Sequence, residues 1–395
     1  MMRAVTGAAG TLLLAAQVGA VQTTASAEID SRSLARDVSV LAADSMAGRA
    51  TGTAGNAAAR AYILARFADA GLRPLASGYE APFPIRGGEE GEPTRGINVV
   101  GQVRGSAMPE RWIVVTAHYD HLGVSNGQTF NGADDNASGV AGLLALAEWA
   151  VRNPPRHSIL FVAFDAEERG LVGARAFVAS PPVPRSSMAI NVNLDMIGRN
   201  DAGELYVAGT AHYPTLAPLV DSITATAPVR LLRGHDRPGS QPGDDWTSAS
   251  DHAPFHQVGI PFLYFGVEDH ADYHRPTDDA ERIQPDFHAR AVETVRRVIE
   301  ALDEQGEMDA SASGGTDASA RGVKRFFAIT SGWSARRHID GRRHGPGLGP
   351  PIIRSTWRAA GHWRNGASDS AVRDVNLTPA PRPQAVVLFW AFLER

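Results

Sequence analysis

The sequence predicts an α/β fold, a three-layer αβα sandwich around a mixed, mostly parallel central sheet. Three observations lead there. Short apolar runs alternate with helical patterns between residues 97 and 302. Several of those runs end on an acid or an imidazole, as at His118, Asp165 and Asp195, and open α/β sheets place their ligands at strand carboxyl ends. The chain has 395 residues, 43% hydrophobic and 21% charged, enough to bury a large core.

Taken in order, the first 27 residues have the form of a secretory signal. Arg3 is the positive start, an apolar stretch runs from Ala4 to about Val21, and Ala25-Ser26-Ala27 supplies small residues for cleavage before Glu28. The stretch is short and rich in Ala and Gly, which disfavours a permanent membrane span. Helices are expected over 33–47 and 52–71; in the second, Ala57, Ala61, Ile63, Leu64, Phe67 and Leu72 recur at helical spacing. A Gly/Pro/Glu-rich loop follows at 86–95. Strands are then expected at 97–103, 112–117, 158–164, 188–194, 205–208 and 261–265. Helices are expected at 137–151, 169–179, 213–225 and 285–302. From about residue 308 periodicity fails, giving three segments: signal 1–27, enzyme-sized domain 28–307, and tail 308–395. The tail reads as a basic, low-order segment, as a partner-binding segment, or as an out-of-frame addition.

Charge follows the same boundary. Residues 1–320 hold 25 Arg and no Lys against 39 acids, whereas 321–395 hold 12 Arg and one Lys against four. The total of −5 is too small to suggest nucleic-acid binding by field alone. With no cysteine, disulfides, thiol nucleophiles and Cys-ligated zinc are excluded, and any metal must be held by His, Asp and Glu.

Five segments carry chemistry. In Ala117-His118-Tyr119-Asp120-His121, His118 and Asp120 are two apart on an extended segment and project together. That suits a metal-bound imidazole with a carboxylate behind it, or a polar surface turn. In Gly132-Ala133-Asp134-Asp135-Asn136-Ala137-Ser138-Gly139, Asp135 or Asn136 can cap the next helix, leaving Asp134 free to bridge two cations. Asp165-Ala166-Glu167-Glu168 places adjacent carboxylates at a buried strand's exit, either metal-bound or forming an acidic first helical turn. Asp195 ends another strand, and His274 lies in Asp272-Tyr273-His274-Arg275-Pro276-Thr277-Asp278.

These segments, in this order, resemble the secreted di-zinc aminopeptidases of the M28 clan, over roughly residues 33–303. The resemblance rests on AHYDH, GADDNASG, FDAEERGLVGA, NLDMIGR, SDHAPFHQVGIP and DYHRPTD. It implies two Zn²⁺ per chain, with His118 and Asp195 on one, Glu168 and His274 on the other, and Asp134 bridging them. It implies Glu167 as general base, Asp120 as the carboxylate behind His118, and a cis peptide at Asp134–Asp135. Tyr273, beside a ligand, is a candidate donor to the oxyanion. Asp251 is a candidate for supporting the site or the substrate, while His121 is taken as a local structural residue. His256, His270 and Asp278 are taken as supports.

The function implied is hydrolysis of N-terminal residues from peptide substrates by an exported enzyme, secreted or periplasmic. The alternatives are a glutaminyl cyclase-like acyltransferase with a single zinc, or an inactive binding module. The loop at 86–96 is too short for an inserted protease-associated domain. Loops 232–250 and 262–272 are expected to wall the substrate pocket.

Overall fold

Asp30 accepts from the Arg32 N–H at 3.1 Å and so starts the first helix, α1 (Ser31–Leu41), which buries Leu34, Val38 and Leu41 on one face. The helix is shorter than expected. After Leu41 the chain breaks into a tight turn, Asp44–Arg49, with Ala47 and Gly48 in left-handed conformations. Thr53 caps α2 (Ala54–Ala70) by accepting from the Asn56 N–H, and Gly71 ends it at φ 81°. Ala59, Ile63 and Phe67, one turn apart, form its buried stripe.

The computed structural model describes residues 29–85, 94–237 and 244–306. The signal segment, most of the loop at 86–95 and the tail from 308 fall outside the described residues.

A nine-stranded sheet forms the middle layer. Its strands are β1 (Arg73–Pro74), β2 (Glu80–Ile85), β3 (Thr94–Val103), β4 (Met108–His118), β7 (His157–Phe164), β8 (Met188–Leu194), β9 (Glu204–Ala208), β10 (Arg230–Arg233) and β11 (Phe262–Gly266). A small hairpin, β5 (Gly123–Ser125) with β6 (Gln128–Phe130), stands apart. The order is β1-β3-β7-β4-β8-β11-β9-β10, with β2 also on β3. The four central strands β7, β4, β8 and β11 are mutually parallel, and antiparallel pairings flank them. Their carboxyl ends therefore open at one edge. The expected strands are all present. Short β1, β2, β10 and the hairpin were not anticipated, because brief or Pro-containing runs carry little periodicity.

Period-two alternation divides the core. Ile113, Val115 and Ala117 of β4, with Ile159, Phe161 and Ala163 of β7, face one hydrophobic cluster that includes α1, α2, α3 (Gly139–Arg152) and α7 (Pro285–Glu304). Trp112 and Val114, with Leu160, Val162 and Phe164, face a second, with α4 (Val172–Ala179) and α6 (His252–Gln257). Helix α4 starts three residues later than expected, because Glu167 and Glu168 occupy a turn rather than a first helical turn. The expected helix at 213–225 divides into a short turn at Pro214–Leu216 and α5 (Ala217–Thr224). Buried polar side chains tie the central strands together. The Thr116 hydroxyl donates to Asn193 Oδ1 at 2.6 Å, and Asn193 Nδ2 donates to Ser250 Oγ at 2.9 Å. That second bond seats the turn before α6 against β8.

Candidate metal centre and active site

The carboxyl ends of the four parallel strands converge on one cavity of about 440 Å³. His118 closes β4; Glu167 and Glu168 follow β7; Asp195 follows β8; Tyr273 and His274 come from the loop after β11. Asp135 enters from the turn that precedes α3.

Two groups of possible metal ligands share one carboxylate. His118 Nε2 lies 3.4 Å from Asp135 Oδ1 and 3.4 Å from Asp195 Oδ1. On the other side, His274 Nε2 lies 3.1 Å from Asp135 Oδ2 and 3.6 Å from Glu168 Oε2. Zinc binds nitrogen and oxygen at about 2.0–2.2 Å in a tetrahedron, which puts neighbouring ligands about 3.3–3.5 Å apart. The His118 group has that spacing, and the His274 group, at 3.1 and 3.6 Å, brackets it. Asp195 Oδ1 and Glu168 Oε1 are buried and have no hydrogen-bond partner among the described residues. Such atoms fit a cation and fit poorly without one.

A sequence profile of peptidase family M28 matches residues 98–299, just over half the chain and the whole run of these ligand loops. The chain belongs to peptidase family M28. Aminopeptidase YwaD of Bacillus subtilis (strain 168) is 33% identical over 201 residues, covering 47% of this chain and 40% of that protein. The chain thus spans less than half the length of the first curated relatives it matches. Among solved structures, the zinc aminopeptidase BSAP of Bacillus subtilis aligns with a TM-score of 0.55 and 19% identity, over 71% of this chain and 97% of that one. Porphyromonas gingivalis glutaminyl cyclase aligns with a TM-score of 0.58 and 21% identity, over 69% of this chain and 99% of that one. At these identities the likeness is one of fold, that of the zinc exopeptidases.

In this M28 chain the carboxylate that lies between the two groups is that of Asp135, where the motif reading had placed Asp134. Asp134 turns away. Its Oδ1 accepts from the Gly198 N–H at 2.7 Å, and its Oδ2 lies 3.1 Å from His270 Nε2. The cis peptide is likewise one residue later, at Asp135–Asn136. Side-chain direction in this turn follows its irregular backbone, with Asp135 at φ −103°, ψ 91° and Asn136 at φ −134°, ψ 42°. Asn136 takes the capping role: its Oδ1 accepts from the Gly139 N–H at 2.9 Å, while its Nδ2 donates to the Leu194 carbonyl beside Asp195. Asp278 accepts from the N–H groups of both Asp134 and Asp135 at 3.1 Å and so pins the turn from the far side. Burial, together with the charge of Asp134, pushes Asp278 up to about 6.

Asp120 has a different geometry from the expected one. Its backbone carbonyl, 3.1 Å from His118 Nδ1, stands behind the imidazole, and its carboxylate is 3.8 Å away. That carboxylate instead accepts from the Glu167 N–H at 3.0 Å and the Glu168 N–H at 3.3 Å. It therefore orients the turn carrying both glutamates. Burial pushes Asp120 up to about 7.

The electrostatics are those of acids crowded into a dry site. Burial raises Glu167 well above the usual carboxyl range, and the charges of Asp251, Asp195 and Asp120 add to it. Burial opposes the His118 imidazolium, but Asp195 and Glu167 outweigh it and hold its pKa well above normal. Asp135 resists its own burial because His121, His118 and His274 surround it, and its pKa falls well below the carboxylate range. Asp251 is fully buried, raised chiefly by burial, and neither of its carboxyl oxygens has a partner among the described residues. Tyr273 lines the cavity and stacks on His274, with ring centroids 3.9 Å apart and planes at 25°; burial raises its pKa. Trp246, Ser248 and Ala249, from one of the loops expected to wall the pocket, also line the cavity. His256 lies elsewhere, with Nδ1 2.7 Å from the Tyr213 hydroxyl.

Two residues emerge that the motifs did not single out for the site. His121, read as structural, packs beside Glu168 and Asp135. Arg49 is wholly buried and makes no salt bridge to a carboxylate among the described residues. Its guanidinium donates to the backbone carbonyls of Leu41, Tyr119, Asn131 and Gly132 at 2.5–2.9 Å. One side chain thus holds the His118–His121 loop against the Asn131–Asp135 turn. Burial lowers its pKa to about 10, against the nearby acids. A buried Arg among small residues was the signal, Ala47-Gly48-Arg49-Ala50, but its acceptors lie up to 83 residues away and leave no local pattern.

Proposed function

We propose that the chain is a zinc-dependent exopeptidase that removes N-terminal residues from peptides, using two Zn²⁺ and Glu167 as general base. The observation that carries this reading is the sharing of Asp135 between two groups at ligand spacing, above a cavity that Glu167 also lines. His118, Asp135 and Asp195 would hold one ion; Asp135, Glu168 and His274 would hold the other. Bound there, the pair would lower the pKa of a water and polarise the scissile carbonyl.

The chain's own residues then supply the rest. Glu167 takes the water's proton at its carboxylate and hands it to the leaving amine. Asp120 keeps the glutamate turn in register through the two N–H bonds, so Glu167 faces the cavity while Glu168 remains beside His274. Tyr273 retains its proton because of burial and can donate it to the developing oxyanion. Two groups rather than one favour hydrolysis over single-zinc cyclisation. The N-terminal signal pattern, which lies outside the described residues, supports an exported enzyme, secreted or periplasmic. Among the described residues no helix is long and apolar enough to cross a membrane.

The test separates the adjacent glutamates. Glu167→Gln should retain two zincs and lose activity on aminoacyl-p-nitroanilides by about 10²–10⁴-fold. Glu168→Gln should weaken one zinc, with activity partly restored by added metal. Both variants remaining active would refute the reading, and one zinc per wild-type chain would favour the cyclase.

A further inference from the structure

A peptide cut at its first residue must carry the rest of its chain out of the catalytic cavity, and the structure offers a formed path. A second cavity, of about 930 Å³, lies between β2, β3 and α4. Phe83, Val100, Val172, Ala176 and Phe177 give it an apolar wall. Only the start of α4 divides the two cavities. Leu171 is buried there at φ 61° and lines the catalytic cavity, while Val172, the next residue, lines the second. A leucine persists in that left-handed conformation only where its surroundings hold it. Arg175, one turn on, is exposed and lines both cavities. Its Nε donates to the Gly170 carbonyl at 3.1 Å and its Nη1 to Gln257 Oε1 at 3.2 Å. Among the described residues it pairs with no acid and its Nη2 has no acceptor, so a fixed cation stands at the junction with donors to spare. Two of the six residues of β2 are proline, and their missing N–H groups hinder the pairing of a further strand on that edge. The cavity therefore suits side chains rather than an added strand.

We propose that the second cavity binds apolar side chains of the substrate peptide on the leaving side of the scissile bond, and that Arg175 donates to a backbone carbonyl of that segment where it crosses from one cavity to the other. This rests on the exopeptidase reading above and deepens it. The substrate class is then an extended peptide with apolar residues behind its first, rather than a dipeptide or an aminoacyl amide. Continuity with the catalytic cavity, through the one side chain that lines both, is what assigns the second cavity to the substrate.

The experiment measures kcat/KM of the full zinc-loaded chain on three substrates that share one N-terminal residue X: X-p-nitroanilide, X-Ala-Leu-Leu-Leu-Ala and X-Ala-Ser-Ser-Ser-Ala. The leucine peptide should exceed the serine peptide by about tenfold or more, the worth of burying one apolar side chain. Ala179→Trp, at an exposed position on the wall of the second cavity, should remove that preference. Arg175→Gln should lower kcat/KM for both peptides, relative to the p-nitroanilide, by about threefold or more. Equal values for the two peptides on the wild type would overturn the inference and leave the exopeptidase reading intact. Release of X from none of the three would overturn that reading, and the inference with it. A leucine preference that survives Ala179→Trp, or peptide-to-p-nitroanilide ratios unmoved by Arg175→Gln, would also overturn it. A dimer in solution that Ala179→Trp dissociates would give the cavity to a second copy of the chain and refute the assignment. Should Ala179→Trp fail to fold, the wild-type comparison and Arg175→Gln decide.

Discussion

Replacing each of two neighbouring aspartates tests where the centre is bridged. One oxygen of Asp135 is 3.4 Å from His118 Nε2, and the other is 3.1 Å from His274 Nε2. A single carboxylate thus serves both ligand groups, and Asp135→Asn removes its charge from both at once. Losing even an indirect partner of a ligand lowers metal affinity about 10–100-fold, so a direct ligand should cost about 100-fold or more at each position. That is about 2.7 kcal/mol per ion. Asp134→Asn is different. An amide oxygen can still accept from Gly198, and only the charged contact to His270 is lost, about 1–2 kcal/mol of stability. Equilibrium dialysis against buffered zinc, with metal analysis and thermal unfolding on the same samples, reads both effects. Asp135→Asn should lose zinc at levels where wild type holds two, and Asp134→Asn should keep zinc with a lowered Tm. The reverse pattern would return the bridge to Asp134 and refute the reasoning.

Other outcomes follow from the same geometry. Arg49→Lys should destabilise the fold by about 2–4 kcal/mol in urea unfolding, because a lysine cannot reproduce a fork that satisfies four carbonyls; a loss below about 0.5 kcal/mol would contradict the clamp. Burial works against the Asp303 carboxylate, but the His157 ring and the N–H groups of Arg156 and His157 outweigh it and lower its pKa. A lowered carboxylate adds stability above its unfolded pKa of about 3.9 and loses it as pH falls through the folded value. Asp303→Asn should therefore cost about 1–2 kcal/mol at neutral pH, with the gap to wild type narrowing below about pH 4; a gap constant with pH would refute this. A chain ending at residue 308 keeps all of α7 and should retain metal binding and peptidase activity; loss of folding would show that the tail is needed. Mass spectrometry of the exported protein should find Glu28, or a residue close to it, at the N-terminus, and an intact Met1 would rule out cleavage.

Much of the fold was legible along the chain because its determinants are local. The mainly apolar runs of β7 and β8 are buried along their whole length, as parallel strands covered on both faces must be. The acids and imidazoles after those runs marked the right edge of the sheet for the same reason. Strand direction and period say where a strand ends and which residues leave it. Tertiary structure decided what happens beyond those ends. Whether Asp134 or Asp135 faces the metal ligands depends on backbone angles in one irregular turn, held by Asp278 more than 140 residues away. His121 comes beside Glu168 because β4 ends at His118 and the chain bends there, so spacing along a strand no longer governs direction. The carboxylate of Asp120, sought behind His118, lies 3.8 Å from its Nδ1 and also accepts from the glutamate turn 47 residues on. Residue types and spacing thus determined which segments meet. The choice of side chain within each segment required the angles and distant hydrogen bonds that exist only once the core has packed.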